Sequence, residues 1–229
     1  MAGPRPSTTT YALLALLAVR PWTGYELTRQ LRRSLHYAWP RSEANLYNEQ
    51  KQLVRLGWAT VTKEPVGKRT RNRYKITSAG RHALRAWMRT EPDEPRLEVE
   101  GIIRMFFADQ GSVEDLVNSI RTTGERAGDA VLELCEIVKD YFATGGPFPH
   151  RLHAVALAAD LLTDLLDRVE TYSQEAAAEV VRWDTTKDRG LTADARKRFE
   201  AILSRGERIS TTRRELARAT GTRRSVRVT

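Results

Sequence analysis

Between residues 41 and 73 the chain gathers the side chains that nucleic-acid recognition uses. Arg41, Ser42, Asn45, Tyr47, Asn48 and Lys51 fall in one short stretch, and Lys68, Arg69, Arg71 and Arg73 in a second. Lysine and arginine neutralise phosphates, hydroxyls donate to phosphate oxygens, and an Asn or Gln amide matches the adenine edge bidentately. Asn45, Asn48 and Gln52 are therefore candidate base readers, and the cations are candidate phosphate contacts. Enzymatic signatures do not accompany them: there is no Gly-rich phosphate loop, no His-Glu-x-x-His pair and no Gly-x-Ser-x-Gly elbow. His150 and His153 stand three apart without matching ligands, so neither metal nor cofactor is expected. Asp160, Asp164 and Asp167 have the ordinary spacing of an exposed helix face. The chain reads as a non-enzyme.

The elements that must position these residues follow from the apolar pattern. Tyr11 to Val19 is apolar nearly all round, which predicts a buried helix capped by Thr9 or Thr10. Pro21-Trp22-Thr23-Gly24 reads as a turn. A second helix is expected from about Tyr25 to His36, with Tyr25, Leu27, Leu31 and Leu35 on one face. A third is expected from Ser42 to Leu56, with Leu46, Leu53, Val54 and Leu56 inward and Asn45, Tyr47, Asn48, Lys51 and Gln52 outward. Two alternating strands, 58–64 and 71–77, flank a basic tip in which Gly67 supplies positive φ, and a helix follows to Met88. Helix, helix, helix, strand, basic turn, strand is the order of a winged helix-turn-helix, here over residues 9–90. In that arrangement the third helix suits a major groove and the tip a sugar–phosphate backbone.

Pro92-Asp-Glu-Pro95 reads as a linker, and residues 97–204 read as helices. The fold class is thus mainly α, with a two-stranded wing and a C-terminal helical dimerisation domain that is a possible effector domain. Residues 205–229 form a basic tail poor in apolar side chains, expected to be disordered or to hold one marginal helix. The formal charge of +9 favours an anionic partner, double-stranded DNA above all. The lone Cys135 is expected as a buried reduced thiol. With no long apolar run and no signal-like start, the expectation is a cytoplasmic protein with no membrane partner.

Gly24-Tyr25-Glu26-Leu27, Asn45-Leu46-Tyr47 leading to Lys51 and Leu53, Leu56-Gly57-Trp58, and Arg73-Tyr74-Lys75-Ile76-Thr77 before Gly80 together resemble the PadR family of bacterial regulators, over about residues 10–88. The resemblance implies dimerisation through C-terminal helices that cross between subunits, often repression, and release by a small aromatic effector. Carried over position by position, it makes Tyr47 and Lys51 DNA contacts and Tyr25 a backbone contact, while Tyr74 is a packing residue of the second wing strand. The chain departs from the family's frequent Ser-Leu-Tyr-Pro by carrying Asn45 and Asn48. The five tryptophans are expected to pack rather than to line an effector pocket. The alternative reading is a winged helix that senses a ligand or binds protein without an operator.

Overall fold

The computed structural model describes residues 6–67 and 69–225. Helix α1 (Thr8–Leu17) is capped by Ser7, whose hydroxyl accepts from the Thr10 backbone while Thr10 reciprocates. The cap therefore lies upstream of the expected Thr9 or Thr10, because Thr10 serves as the third residue of a capping box. Apolar on every side, α1 buries Leu13, Leu14 and Leu17. Helices α2 (Gly24–Leu35) and α3 (Glu43–Arg55) add Leu27, Leu31, Leu46 and Leu53 to the same core. Each fully buried leucine contributes about 1.5–3 kcal/mol. Tyr25, by contrast, leaves the face expected for it and is 66% exposed.

The hairpin joins β2 (Ala59–Val66) to β3 (Arg69–Ile76) through Gly67, at φ +57°. The register pairs Ala59 with Ile76, Val61 with Tyr74 and Glu64 with Arg71. Trp22–Thr23, expected as part of a turn, forms a short strand β1 on the other edge of β3, so the sheet has the order β1-β3-β2. Trp22 pairs with Tyr74 and Thr23 with Arg73. Burial holds Trp22 in this place: its ring is in the core and its Nε1 donates to the Leu16 carbonyl at 2.9 Å. Helix α4 (Ser78–Trp87) closes the winged fold, and Trp87 stacks on Tyr11 at 4.9 Å between centroids.

Two compact units are formed: the chain up to Val99 with Arg121–Gln174, and Glu100–Ile120 with the chain from Glu175 on. The first holds the winged fold and most of two long helices, α6 (Val113–Thr144) and α7 (Leu152–Val180). These helices approach closely at Gly124, where a Cβ would sit 2.7 Å from that of Ser173. The end of α2 is tied to α6 by Arg33 to Asp140 at 2.5 Å and by the Tyr37 hydroxyl donating to Glu133 at 2.5 Å. Burial, then the carboxylate that accepts its proton, pushes Tyr37 up to about 12. An alkaline ultraviolet titration should find one tyrosine ionising about two units late, and Glu133→Gln should bring it down. This hydrogen bond is intact below the ordinary tyrosine range and is lost as pH rises through 12.

In the second unit α5 (Glu100–Phe106) and a 3-10 turn at Ala108–Gln110 precede the start of α6, and Leu116, Val117, Ile120, Ala176, Ala177 and Val180 are buried. Helix α8 (Ala193–Ser225) is joined by Arg198, which donates from Nε to Glu179 at 3.0 Å. The basic tail from Arg205, expected to be disordered or to hold one marginal helix, is helical as far as Ser225, continuous with the segment expected to end at 204. Leu203, Ile209 and Leu216 recur along it but stay exposed, so straight-chain Arg and Glu and the absence of proline favour the helix rather than burial. Cys135 is exposed, not buried: the α6 face that enters the core is that of Ala127, Ala130 and Leu134, and Cys135 lies one step round from it. No helix among the described residues is long and apolar enough to cross a membrane.

Candidate nucleic-acid interface

Helix α3 starts at Ser42, whose Oγ accepts from the Asn45 backbone at 3.3 Å. Ser42 thus caps the helix, satisfying one of the N–H groups that a first turn leaves without partners. Asn45, Asn48 and Lys51 are exposed on α3, and Tyr47 is 37% exposed. Gln52, expected to face outward, is only 8% exposed. The chain turns at Gly57 directly into β2, with the Trp58 N–H bonded to the Leu53 carbonyl, and Gln52 and Leu53 are buried there while Lys51 and Arg55 stay exposed.

Gln50, absent from the residues that the sequence singles out, is the buried polar residue of α3. It is fully buried, and its Nε2 donates to the Gly24 carbonyl and the Thr28 hydroxyl, both at 3.0 Å. Its Oε1 is buried without a partner among the described residues. A Cβ added to Gly24 would meet that oxygen at 2.6 Å, Tyr74 at 3.4 Å and Tyr47 at 3.6 Å. Gly24 is thus where α2, α3 and β3 converge. The spacing of Leu46, Gln50 and Leu53 signals an inward face, although the amide masks it.

This convergence brings three of the expected residues together. Tyr25 follows Gly24, Tyr47 borders it, and Arg73 pairs with Thr23 just before it. Tyr74 packs in the core, as its inward place in the strand pattern predicts, and burial raises its pKa. Thr23 caps α2, and Glu26 returns the bond by accepting from the Thr23 N–H at 2.7 Å. Burial pushes the Glu26 carboxyl up, yet the Thr23 hydrogen bonds and the charges of Arg20 and Arg73 outweigh it and hold it below the usual carboxylate range.

The wing is less cationic than its arginines alone indicate. Glu64 accepts a hydrogen bond from Arg73 and lies 3.4 Å from Arg71. The Arg73 hydrogen bond first, then both positive charges, keep the Glu64 carboxyl ionised below its usual range. The expected strands, the first ending at 64 and the second opening at 71, already set these two residues opposite each other, so the pairing was open to sequence reasoning. Arg41 is half-buried, its guanidinium 4.4 Å over the Trp39 ring and donating to the Pro40 carbonyl at 2.5 Å. Arg69 opens β3 opposite Val66; its side chain and the whole of Lys68 lie outside the described residues.

Residues 13–86 match the family model described as "Transcriptional regulator PadR-like family". A curated relative, the negative transcriptional regulator PadR of Bacillus subtilis, is 27% identical over 99 residues, 42% of this chain and 54% of its own. The match thus spans about half of that relative's length. Among solved structures, smu.1604c from Streptococcus mutans aligns with a TM-score of 0.67 at 20% identity, covering 78% of this chain and 99% of its own. Bacillus subtilis PadR in complex with operator DNA aligns at 0.63 and 18%, covering 76% and 99%. The same protein with p-coumaric acid aligns at 0.58 and 18%, covering 77% and 100%. At these identities the structural likeness is one of fold.

Proposed function

We propose that the chain, whose residues 13–86 match the model of the PadR-like family of transcriptional regulators, is a regulator of that kind: a dimeric, operator-binding repressor whose grip on DNA a small aromatic acid loosens. One observation carries the DNA reading. A short, capped third helix exposes Asn45, Tyr47, Asn48 and Lys51 while Gln50 locks its opposite face to α2, and Tyr25 and Arg73 gather at the α2 start beside it. In this reading Asn45 and Asn48 address base edges. Lys51, Arg71 and Arg73 take phosphates, Arg69 and Lys68 extend the wing along the backbone, and Ser42 and Arg41 set where α3 begins. The neighbouring fold of Bacillus subtilis PadR has been solved with operator DNA and with p-coumaric acid, which supports both the partner and the effector class.

Dimerisation is supported by apolar side chains left outside. Leu157, Leu161 and Leu165 repeat every four residues along α7, and Leu132 and Phe142 stand exposed on α6. Such a stripe on two long helices fits a second copy of the chain. Sedimentation at micromolar concentration should give a dimer, and a monomer there would remove the two-fold operator from the proposal.

The DNA reading is tested by binding to duplexes in a salt titration. Lys51→Ala should weaken every sequence alike, by about tenfold, and reduce the salt slope by about 0.9. Asn45→Ala should instead cost about 1–3 kcal/mol at one base position and little elsewhere. Glu64→Gln removes the carboxylate that occupies Arg71 and Arg73, so it should tighten binding to unrelated duplexes. Unaltered binding in all three variants would dismiss this face.

A further inference from the structure

The last 25 residues, Arg205 to Thr229, hold eight arginines against two glutamates, and so six of the nine net positive charges of the chain. The structure places most of this excess on a helix. Helix α8 runs on to Ser225, and Arg205, Arg208, Arg213 and Arg214 are all exposed on it. Among the described residues none of these four is held in an ion pair; the α8 ion pair lies further back, at Arg198 and Glu179. Like charges crowded on one rod repel one another, and a polyanion relieves that repulsion by giving up its own counterions. We propose that α8 from Arg205 onward is a second duplex-binding surface, a cationic helix that takes phosphates without regard to base sequence. The inference rests on the reading of the chain as a DNA-binding protein and adds a surface outside the winged fold.

The dimensions fit. Arg205 to Arg214 spans about 14 Å of helix axis at 1.5 Å per residue. The same length of duplex presents about eight phosphates, enough for four guanidinium groups. Ser210, Thr211 and Thr212 lie within this stretch, and hydroxyls also donate to phosphate oxygens. A lipid surface suits the segment less well. A helix that lies in a bilayer interface needs a broad apolar face, whereas the large apolar side chains from Arg205 to Leu216 are Ile209 and Leu216 alone, seven residues apart. Arg213 interrupts the line between them.

The test uses the full chain and a labelled duplex of random sequence, with affinity measured against potassium chloride. The quadruple variant Arg205→Gln, Arg208→Gln, Arg213→Gln, Arg214→Gln should shallow the log–log salt slope by about 0.9 for each phosphate that it no longer engages, about 2–4 in total. It should weaken random and selected duplexes by the same factor, at least about tenfold at low salt, leaving their ratio unchanged. The corresponding four-lysine variant should restore the slope, which separates charge from any loss of helix. A wild-type slope in the glutamine variant overturns the inference and leaves the winged-helix reading standing. So does a variant that loses binding to phosphatidylserine vesicles while keeping its DNA slope. If the wild-type chain itself shows no salt-dependent duplex binding, the winged-helix reading fails as well.

Discussion

Gly80→Ala is expected to destabilise the winged fold by about 3 kcal/mol, at the upper end of overpacking costs, and to lower its melting temperature by more than about 10 °C. A Cβ at this position would lie 2.2 Å from the Trp58 carbonyl oxygen and 3.0 Å from Ile76 Cγ1. The first of these neighbours is backbone and cannot rotate away. That carbonyl also accepts from the Thr77 N–H at 3.0 Å, and Thr77 caps α4 through the Gly80 N–H while donating to the Gly57 carbonyl at 2.7 Å. Relieving the clash therefore pulls apart the seam that joins β2, β3 and α4. Helix propensity alone favours alanine over glycine by about 1 kcal/mol, so the sign of the result is diagnostic. Gly206→Ala provides the contrast: no atom lies within 4 Å of its added Cβ, and the change should leave stability unchanged or raise it. Thermal melts of the two variants decide the point, and equal melting temperatures would refute the packing described for Gly80.

The second large effect is expected from Gln50→Glu, which alters one atom group and almost no volume. Nε2 now donates to the Gly24 carbonyl and the Thr28 hydroxyl. A carboxylate has no donor for the carbonyl, and the fully buried site would hold an uncompensated charge. Leaving a buried charge unpaired costs about 3–5 kcal/mol. Desolvation and the facing carbonyl both raise the pKa of the introduced carboxyl in the folded state. A raised folded pKa gives stability that is present at low pH and lost as pH climbs through it. The variant should therefore be closest to wild type near pH 5 and weakest at pH 8. Gln50→Met, which removes the amide and its orphaned Oε1 together, should cost about 1 kcal/mol with no such pH trend. Urea titrations at the two pH values distinguish these outcomes; a pH-independent loss in the glutamate variant would show that the site is hydrated.

Much of the winged fold was legible because its core is built from leucines at helical spacing. Leu13, Leu14, Leu17, Leu27, Leu31, Leu46 and Leu53 mark three helices, and alternation around Val61 and Tyr74 marks the strands. The exposed face of α3 followed from the same periodicity, apart from its last turn. Gln52 has the spacing of an outward residue but is buried, close to where α3 ends and the chain turns at Gly57 into β2, a tertiary setting that no local pattern records. Gln50 stands on the leucine face, and its polarity hides it. The pairing of Trp22–Thr23 with β3 was not visible, since a two-residue strand carries no alternation. The length of helix α8 was understated for a compositional reason: beyond 204 a sequence poor in apolar side chains and rich in arginine reads as a disordered tail or one marginal helix, although arginine is itself a good helix former.

The neutralising role of Glu64 shows how a register changes a charge count. Read along the sequence, the hairpin offers Lys68, Arg69, Arg71 and Arg73 as a cationic tip. Across the strands, one glutamate engages two of those arginines. Glu64 cancels one of those two charges, and a phosphate that engages both arginines must displace its carboxylate.

The most direct test of the central claim is selection of duplexes from a fully randomised pool by the intact chain, followed by sequencing. A dimer with one α3 per subunit in successive major grooves predicts an enriched inverted repeat whose half-sites are centred about 10 base pairs, or roughly 34 Å, apart. Asn45→Ala should then relax the preference at one position of each half. A pool that binds yet stays uniform in sequence, with no repeat emerging over successive rounds, would contradict the assignment of α3 as the reading helix.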